Sequence, residues 1–241
     1  MFEMSDGLVF DEDISIGLAI LTIDRPASKN AFTTAMWTAG AEFLHRVAAD
    51  DRLRVVLVNA TSDVFCAGAD VKDFQSSKDA GRPFHNFLDE LTDFPKPIVG
   101  AVNGAAVGSG FTMLAYIDVL LASTNARFRA PFVQMGLVPE AGSSRMLPEL
   151  LGWQAAADLM FTSGWLSADE AFRLGFVREL LEPAELQSVA RARAEHIASM
   201  PLESLMATKR LLLDGRTGIG AVRQRESALF RERLASREEL Q

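Results

Sequence analysis

Two hydrophobic rhythms alternate along this chain, and the switches between them outline its elements. Over 7–24 the apolar positions Leu18, Ile20, Leu21 and Ile23 follow a polar turn, which predicts two strands. After the loop Arg25-Pro26-Ala27-Ser28-Lys29-Asn30 the period lengthens. Met36, Phe43, Leu44 and Val47 share one face of a helix that Thr33 or Thr34 caps and Asp50-Asp51 ends. A strand over 55–59 follows. Residues 71–95 are polar and mixed, with no packed element before a helical stretch near 84–91, and read as a mobile lid over a pocket.

The run 98–102 is apolar throughout and predicts a buried strand. It breaks into a loop with glycines at 104, 108 and 110, then a helix over 111–116. Strands near 119–122 and 128–131 precede a turn over 135–144 and a helix from about 146. Ser167-Ala168-Asp169-Glu170 matches a capping box, whose helix stops near Gly175. Pro183 opens a helix that ends before Pro201, and helices follow over about 202–213 and 220–238. Strands and helices alternate first and helices alone come last, so the expectation is an α/β core over 1–195 with a helical subdomain over 196–241.

Composition narrows the function classes. Of 241 residues 49% are hydrophobic, enough for a sizeable core. A net charge of −8 without a long basic run argues against a nucleic-acid partner. The single cysteine, Cys66, rules out an internal disulfide and reads as a small packed residue of a reducing compartment. The acidic N-terminus has no signal-peptide pattern. The apolar stretch 97–122 is interrupted by glycines, Asn103 and Asp118, so a cytoplasmic protein without a membrane span is expected. His45, His85 and His196 are scattered, and no spacing implies a metal.

Candidate chemistry gathers at two strand ends. Lys96-Pro97-Ile98-Val99-Gly100-Ala101-Val102-Asn103-Gly104 continues to Gly110 at a strand-to-helix junction, where backbone N–H groups lack intrahelical partners. It has neither the Lys-Ser/Thr of a Walker loop nor the glycine order of a dinucleotide site. A second loop, Phe65-Cys66-Ala67-Gly68-Ala69-Asp70, follows another strand. Two such loops can direct N–H groups at one oxygen that gains charge during a reaction.

With Arg25-Pro26, Asn30-Ala31, Pro131-Phe132, Gly136 and Pro139-Glu140-Ala141-Gly142-Ser143-Ser144, these loops make the chain resemble the crotonase family, or enoyl-CoA hydratase/isomerase superfamily, over nearly its whole length. The resemblance implies a spiral of ββα units, terminal helices packed into a homotrimer or hexamer, and an acyl-CoA thioester substrate with no cofactor beyond the coenzyme A it carries. It implies oxyanion donors at the amides of Ala69 and Ser109, the latter where many relatives have glycine. It puts adenine contacts near Ala67 and Ala69, and further substrate contacts at Asp70, Val71, Lys72, Phe132, Arg25 and Lys29. Lys209 and Arg210 are placed toward a 3′-phosphate, from a neighbouring subunit in one arrangement.

Hydratases of this family use two glutamates, and at those places this chain has Thr112 and Phe132. Glu140 instead matches the acid of peroxisomal-type Δ3,Δ2-enoyl-CoA isomerases and phenylacetate-pathway isomerases. Alone, it reads as a carboxylate at a helix start. With both loops it reads as the acid/base of an enoyl-CoA isomerase, its pKa raised by Phe132, Met135 and Leu137. Asp70 is expected to fix its own loop or contact the ligand, and Asp118 to cap or turn. A hydratase, another crotonase reaction such as thioester hydrolysis, and a non-catalytic acyl-CoA binder remain as alternatives.

Overall fold

The computed structural model describes residues 2–5, 7–76, 81–214 and 216–238. In chain order the elements begin with β1 (Phe2–Ser5), β2 (Leu8–Asp13), β3 (Leu18–Ile23), α1 (Thr34–Ala49), β4 (Val55–Ala60), β5 (Val64–Cys66), α2 (Val71–Ser76) and α3 (Gly81–Asp93). The middle holds β6 (Ile98–Val102), β7 (Ala105–Val107), α4 (Ser109–Thr112) with a 3-10 turn Met113–Tyr116, β8 (Val119–Ser123) and β9 (Arg127–Arg129). The rest is α5 (Ser143–Leu151), α6 (Trp153–Thr162), β10 (Trp165–Ser167), α7 (Ala168–Arg173), β11 (Glu179–Leu181), α8 (Pro183–Ala198), α9 (Leu202–Asp214) and α10 (Ile219–Glu238).

Seven strands form one sheet in the order β1-β2-β3-β4-β6-β8-β11, and four form a second in the order β10-β9-β7-β5. Each successive pair, β4/β5, β6/β7 and β8/β9, sends its first strand to the large sheet and its second to the small one before a helix follows. That repetition is the spiral of ββα units. The large sheet is parallel from β3 to β11. Its middle strands are covered on both faces, which is why β6 is buried at every position and reads as an unbroken apolar run. One core fills the space between the sheets and α1, α3, α5 and α6. On the far face Leu186, Ala190, Ala194 and Ala198 make a four-residue row along α8 against Leu18, Val55, Leu57, Val99 and Leu121. That row runs past the expected division at 195/196, which falls inside α8.

Several elements differ from the expectation. Residues 105–107 pair with β5 and β9 as a strand, and the helix after them opens at Ser109 rather than 111. All three residues are apolar, and three positions are too few for a period to show. β11 is likewise missing from the sequence pattern. The lid expected over 71–95 is corrected for 81–93. That stretch is α3, with Phe84, Phe87, Leu88 and Leu91 buried. The Trp37 ring of α1 packs at a tilt against Phe84 and Phe87, with centroids 4.9 and 5.2 Å apart, so the helix is part of the core. Residues 77–80 of that expectation lie outside the described residues. No described helix is long and apolar enough to cross a membrane.

Candidate active site

The two glycine-bearing loops lie against each other. β5 and β7 are parallel neighbours, so the chain leaves both strands at the same end. Gly68 takes φ +97°, and a Cβ there would lie 2.9 Å from the Val107 carbonyl and 3.7 Å from the Ser109 nitrogen. Gly110 is as tightly placed: a Cβ would meet Cys66 O at 2.6 Å and Sγ at 2.7 Å. Only residues without a side chain allow this approach.

Phe32 and Ala69 form a parallel bridge. The Phe32 N–H donates to Gly68 O at 2.8 Å, and Phe32 O accepts from the Asp70 N–H at 2.8 Å. The bridge uses the groups on either side of Ala69 and leaves the Ala69 N–H without an acceptor among the described residues. Ser109 is the first residue of α4, so its N–H has no intrahelical partner either. The Ser109 and Thr112 hydroxyls are buried and have no partner among the described residues.

The loop carrying Ala69 is braced from outside. Asp70 Oδ1 accepts from the N–H groups of Lys72 (3.1 Å) and Asp73 (3.2 Å), opening α2, and Oδ2 pairs with Arg25 at 2.8 Å. The Arg25 guanidinium, then those amides, hold the Asp70 carboxyl below the usual carboxylate range. Arg25 also donates to Ala31 O. Asn30, fully buried with φ +57°, accepts from the Arg25 N–H and donates to Ser62 Oγ and Val64 O. Arg25 and Asp70 are thus engaged with each other. Lys29, Val71 and Lys72 are exposed, and the Ala67 N–H is taken by the Lys29 carbonyl at 3.1 Å. Cys66 is buried, and burial pushes its thiol up to about 12, so it is a packed thiol rather than a nucleophile.

Glu140 sits on the connection from β9 to α5. β9 pairs with β7, and the Gly108 N–H donates to Arg129 O at 3.0 Å, which joins the end of β9 to the start of α4. Phe132 and Leu137 are buried along it, while Met135 is 42% exposed and supplies little of the apolar surround expected of it. Burial first, then the nearby Glu226 carboxyl, push the Glu140 carboxyl up to about 8. The residue keeps some accessible surface, and its side chain meets no hydrogen-bonding partner among the described residues. A group held at that pKa exchanges a proton readily near neutral pH.

The backbone around Glu140 is fixed at several points. The Glu140 carbonyl accepts from the Ser143 N–H (3.0 Å) and Oγ (2.5 Å), and the Tyr116 hydroxyl donates to Ala141 O at 2.7 Å. Glu226 of α10 accepts from the Gly142 N–H (2.6 Å) and the Ser144 N–H (2.9 Å). Tyr116 and Glu226 were not among the expected site residues. Nothing local marks them, since they reach the loop from 25 and 84 residues away.

A family model for enoyl-CoA hydratase/isomerase matches residues 13–239. The chain belongs to the enoyl-CoA hydratase/isomerase family. It is 31% identical over 210 residues to the 1,2-epoxyphenylacetyl-CoA isomerase of Escherichia coli K12, covering 83% of this chain and 80% of that protein. It is 32% identical to a probable peroxisomal enoyl-CoA hydratase of Arabidopsis thaliana over 88% of this chain and 81% of that one. Against enoyl-CoA delta isomerase 2 of Rattus norvegicus it is 31% identical over 92% of this chain and 59% of that one. A crystal structure of an enoyl-CoA hydratase/isomerase from Pseudoalteromonas atlantica superposes with a TM-score of 0.91 at 38% identity, over 95% of this chain and 92% of that one. Relatives thus carry both isomerase and hydratase names.

Within this enoyl-CoA hydratase/isomerase chain one expected residue is displaced from the ligand role. Lys209 is buried, pairs with Asp118 at 2.8 Å and donates to Lys96 O at 2.7 Å, so it is not available to a 3′-phosphate. Asp118 also accepts from the Ile98 N–H at 2.7 Å, the turn-fixing part expected of it. His85 faces α10 through Ser227, and His45 is an exposed partner of Glu90. Among the described residues no group of acids, histidines and cysteine is arranged to hold a metal ion.

Proposed function

We propose that this member of the family is an enoyl-CoA isomerase that moves a double bond from C3 to C2 of an acyl-CoA thioester, with Glu140 as the single acid/base. The observation that carries this reading is one carboxyl, held at about 8 and without a hydrogen-bonding partner among the described residues, on a loop whose Ala141 carbonyl accepts from the Tyr116 hydroxyl of the turn that follows α4. Glu140 takes the proton from C2, and the electron pair moves onto the thioester oxygen. The free amides of Ala69 and Ser109 stabilise that oxygen; losing one such donor in other enzymes costs about 3–4 kcal/mol. The acid form of Glu140 then returns the proton at C4, so one group serves both steps.

Two-carboxylate hydration is disfavoured by the same geometry. The places of the family's two glutamates hold Thr112 and Phe132, both buried. The acid whose charge acts on Glu140 is Glu226, and both its oxygens are occupied by backbone N–H groups. The test is conversion of a 3-enoyl-CoA to the 2-enoyl-CoA by purified protein and by Glu140→Gln. A loss of about 100-fold or more in kcat is expected from removing a general base. Full rate in the variant, or faster hydration of a 2-enoyl-CoA than isomerisation, would sink the reading.

A further inference from the structure

We propose that Glu226 is a positioning residue for the acid/base Glu140: its two carboxylate oxygens hold the 140–144 turn through the amides of Gly142 and Ser144. The proposal rests on the reading of Glu140 as the base. Ala141 and Gly142 are both left-handed, at φ +60° and +75°. For alanine this conformation is unfavourable by about 1–2 kcal/mol, so the turn persists only where its surroundings determine it. Tyr116 takes the Ala141 carbonyl, and Glu226 takes the amides of Gly142 and Ser144. Those amides belong to the open first turn of α5, where a carboxylate is favoured. Glu140 therefore sits next to a clamp made from a helix far along the chain.

The helix that carries the clamp is itself anchored to α3. Arg223, one turn before Glu226 and 6% exposed, pairs with Asp89 at 2.8 Å and donates to His85 O at 3.0 Å, both on α3. Ser227 meets His85 Nε2 at 3.3 Å. The charged and titratable groups around Glu226 are thus Glu140 and Arg145 from the β9–α5 segment and α5, Arg223 from its own helix, Asp89 and His85 from α3, and Tyr116 from the 3-10 turn. Arg145 is turned to Glu149 and Thr217 O. Burial holds His85 below the usual histidine range and pushes the Tyr116 phenol up to about 12, so neither adds charge above pH 7. Burial first and the Glu226 carboxylate second raise Glu140, and burial pushes the Glu226 carboxyl up as well.

The experiment measures kcat and KM against pH for the wild type, Glu226→Gln, Glu226→Asp and Glu140→Gln. Glu226→Gln retains one acceptor but places an amide NH2 against the other backbone N–H. Its kcat is expected to fall about 10–100-fold, the loss a misplaced group produces, with KM changed less than about twofold. The acid limb moves to lower pH because no charge remains to repel ionised Glu140. Glu226→Asp retains the charge, so its limb stays near the wild-type position with part of the rate. If Glu226→Gln matches the wild type in kcat and limb while Glu140→Gln is inactive, the positioning role is overturned and the base reading survives. If Glu140→Gln is fully active, the base reading itself falls. Should Glu226→Gln fail to fold, amide exchange in the wild type decides: slow exchange at Gly142 and Ser144 supports the clamp, and exchange as fast as an open turn overturns it.

Discussion

Glu140 carries opposite consequences for activity and for stability. As a base it must be ionised, so the rate is expected to rise with pH through about 8. Its neutral form is the one the fold favours. The contribution to stability is therefore complete below the ordinary value of 4.5 and is lost as pH rises through about 8. Glu140→Gln has no charge to bury. Calorimetry is expected to show its melting temperature gaining on the wild type between about pH 5 and about pH 9; a constant difference would contradict the burial. Some residue roles were readable one at a time. Asp70 accepts from amides two and three residues on, a local contact that its position after a strand suggests. Arg25 was not readable in this way, because its partner Asp70 is 45 residues away.

At the scale of elements, the site depends on α4 lying directly on the end of β5. Gly110 makes this possible, and Gly110→Ala would set a methyl group against the Cys66 carbonyl and sulfur at 2.6 and 2.7 Å. Both neighbours belong to packed backbone or a buried side chain, so α4 itself has to shift. A loss of about 1–3 kcal/mol is expected in urea unfolding, together with a fall in kcat as the Ser109 amide moves. Unchanged stability and rate would mean that the approach is looser than described. Helices with a clear apolar face were legible: α1 begins where Thr33 accepts from the Met36 N–H, and α7 has the capping box of Ser167 and Glu170. The three-residue strands β7 and β11 were not, because their pairing partners, rather than a period, define them.

Across the whole molecule the C-terminal helices are tied to the sheet layer by buried polar contacts as well as apolar ones. Lys209 of α9 bridges Asp118 and the Lys96 carbonyl, while Lys96 itself donates to the Val47 and Asp50 carbonyls at the end of α1. Lys209→Ala would leave Asp118 with the Ile98 N–H but without its charged partner. Since the Asp118 side chain retains 28% of its exposure, a destabilisation of about 2–3 kcal/mol is expected, below that of a fully buried pair. Affinity for free coenzyme A, measured by calorimetry on folded protein, should stay unchanged. A selective loss of affinity for the 3′-phosphorylated form would return Lys209 to the ligand.

What the amino-acid order determined alone was local: the apolar runs of buried strands, the helix starts and stops, the two glycine loops and the single acid at 140. Each of these follows from neighbouring side chains or from backbone freedom within a few residues. Tertiary structure decided which of them act together. It brought Gly68 against Val107 and Ser109, consigned Lys209 to a buried ion pair, and carried Glu226 onto the turn beside Glu140. Contacts between distant segments depend on how layers stack, and a carboxyl's basicity depends on the burial and charge that stacking creates around it.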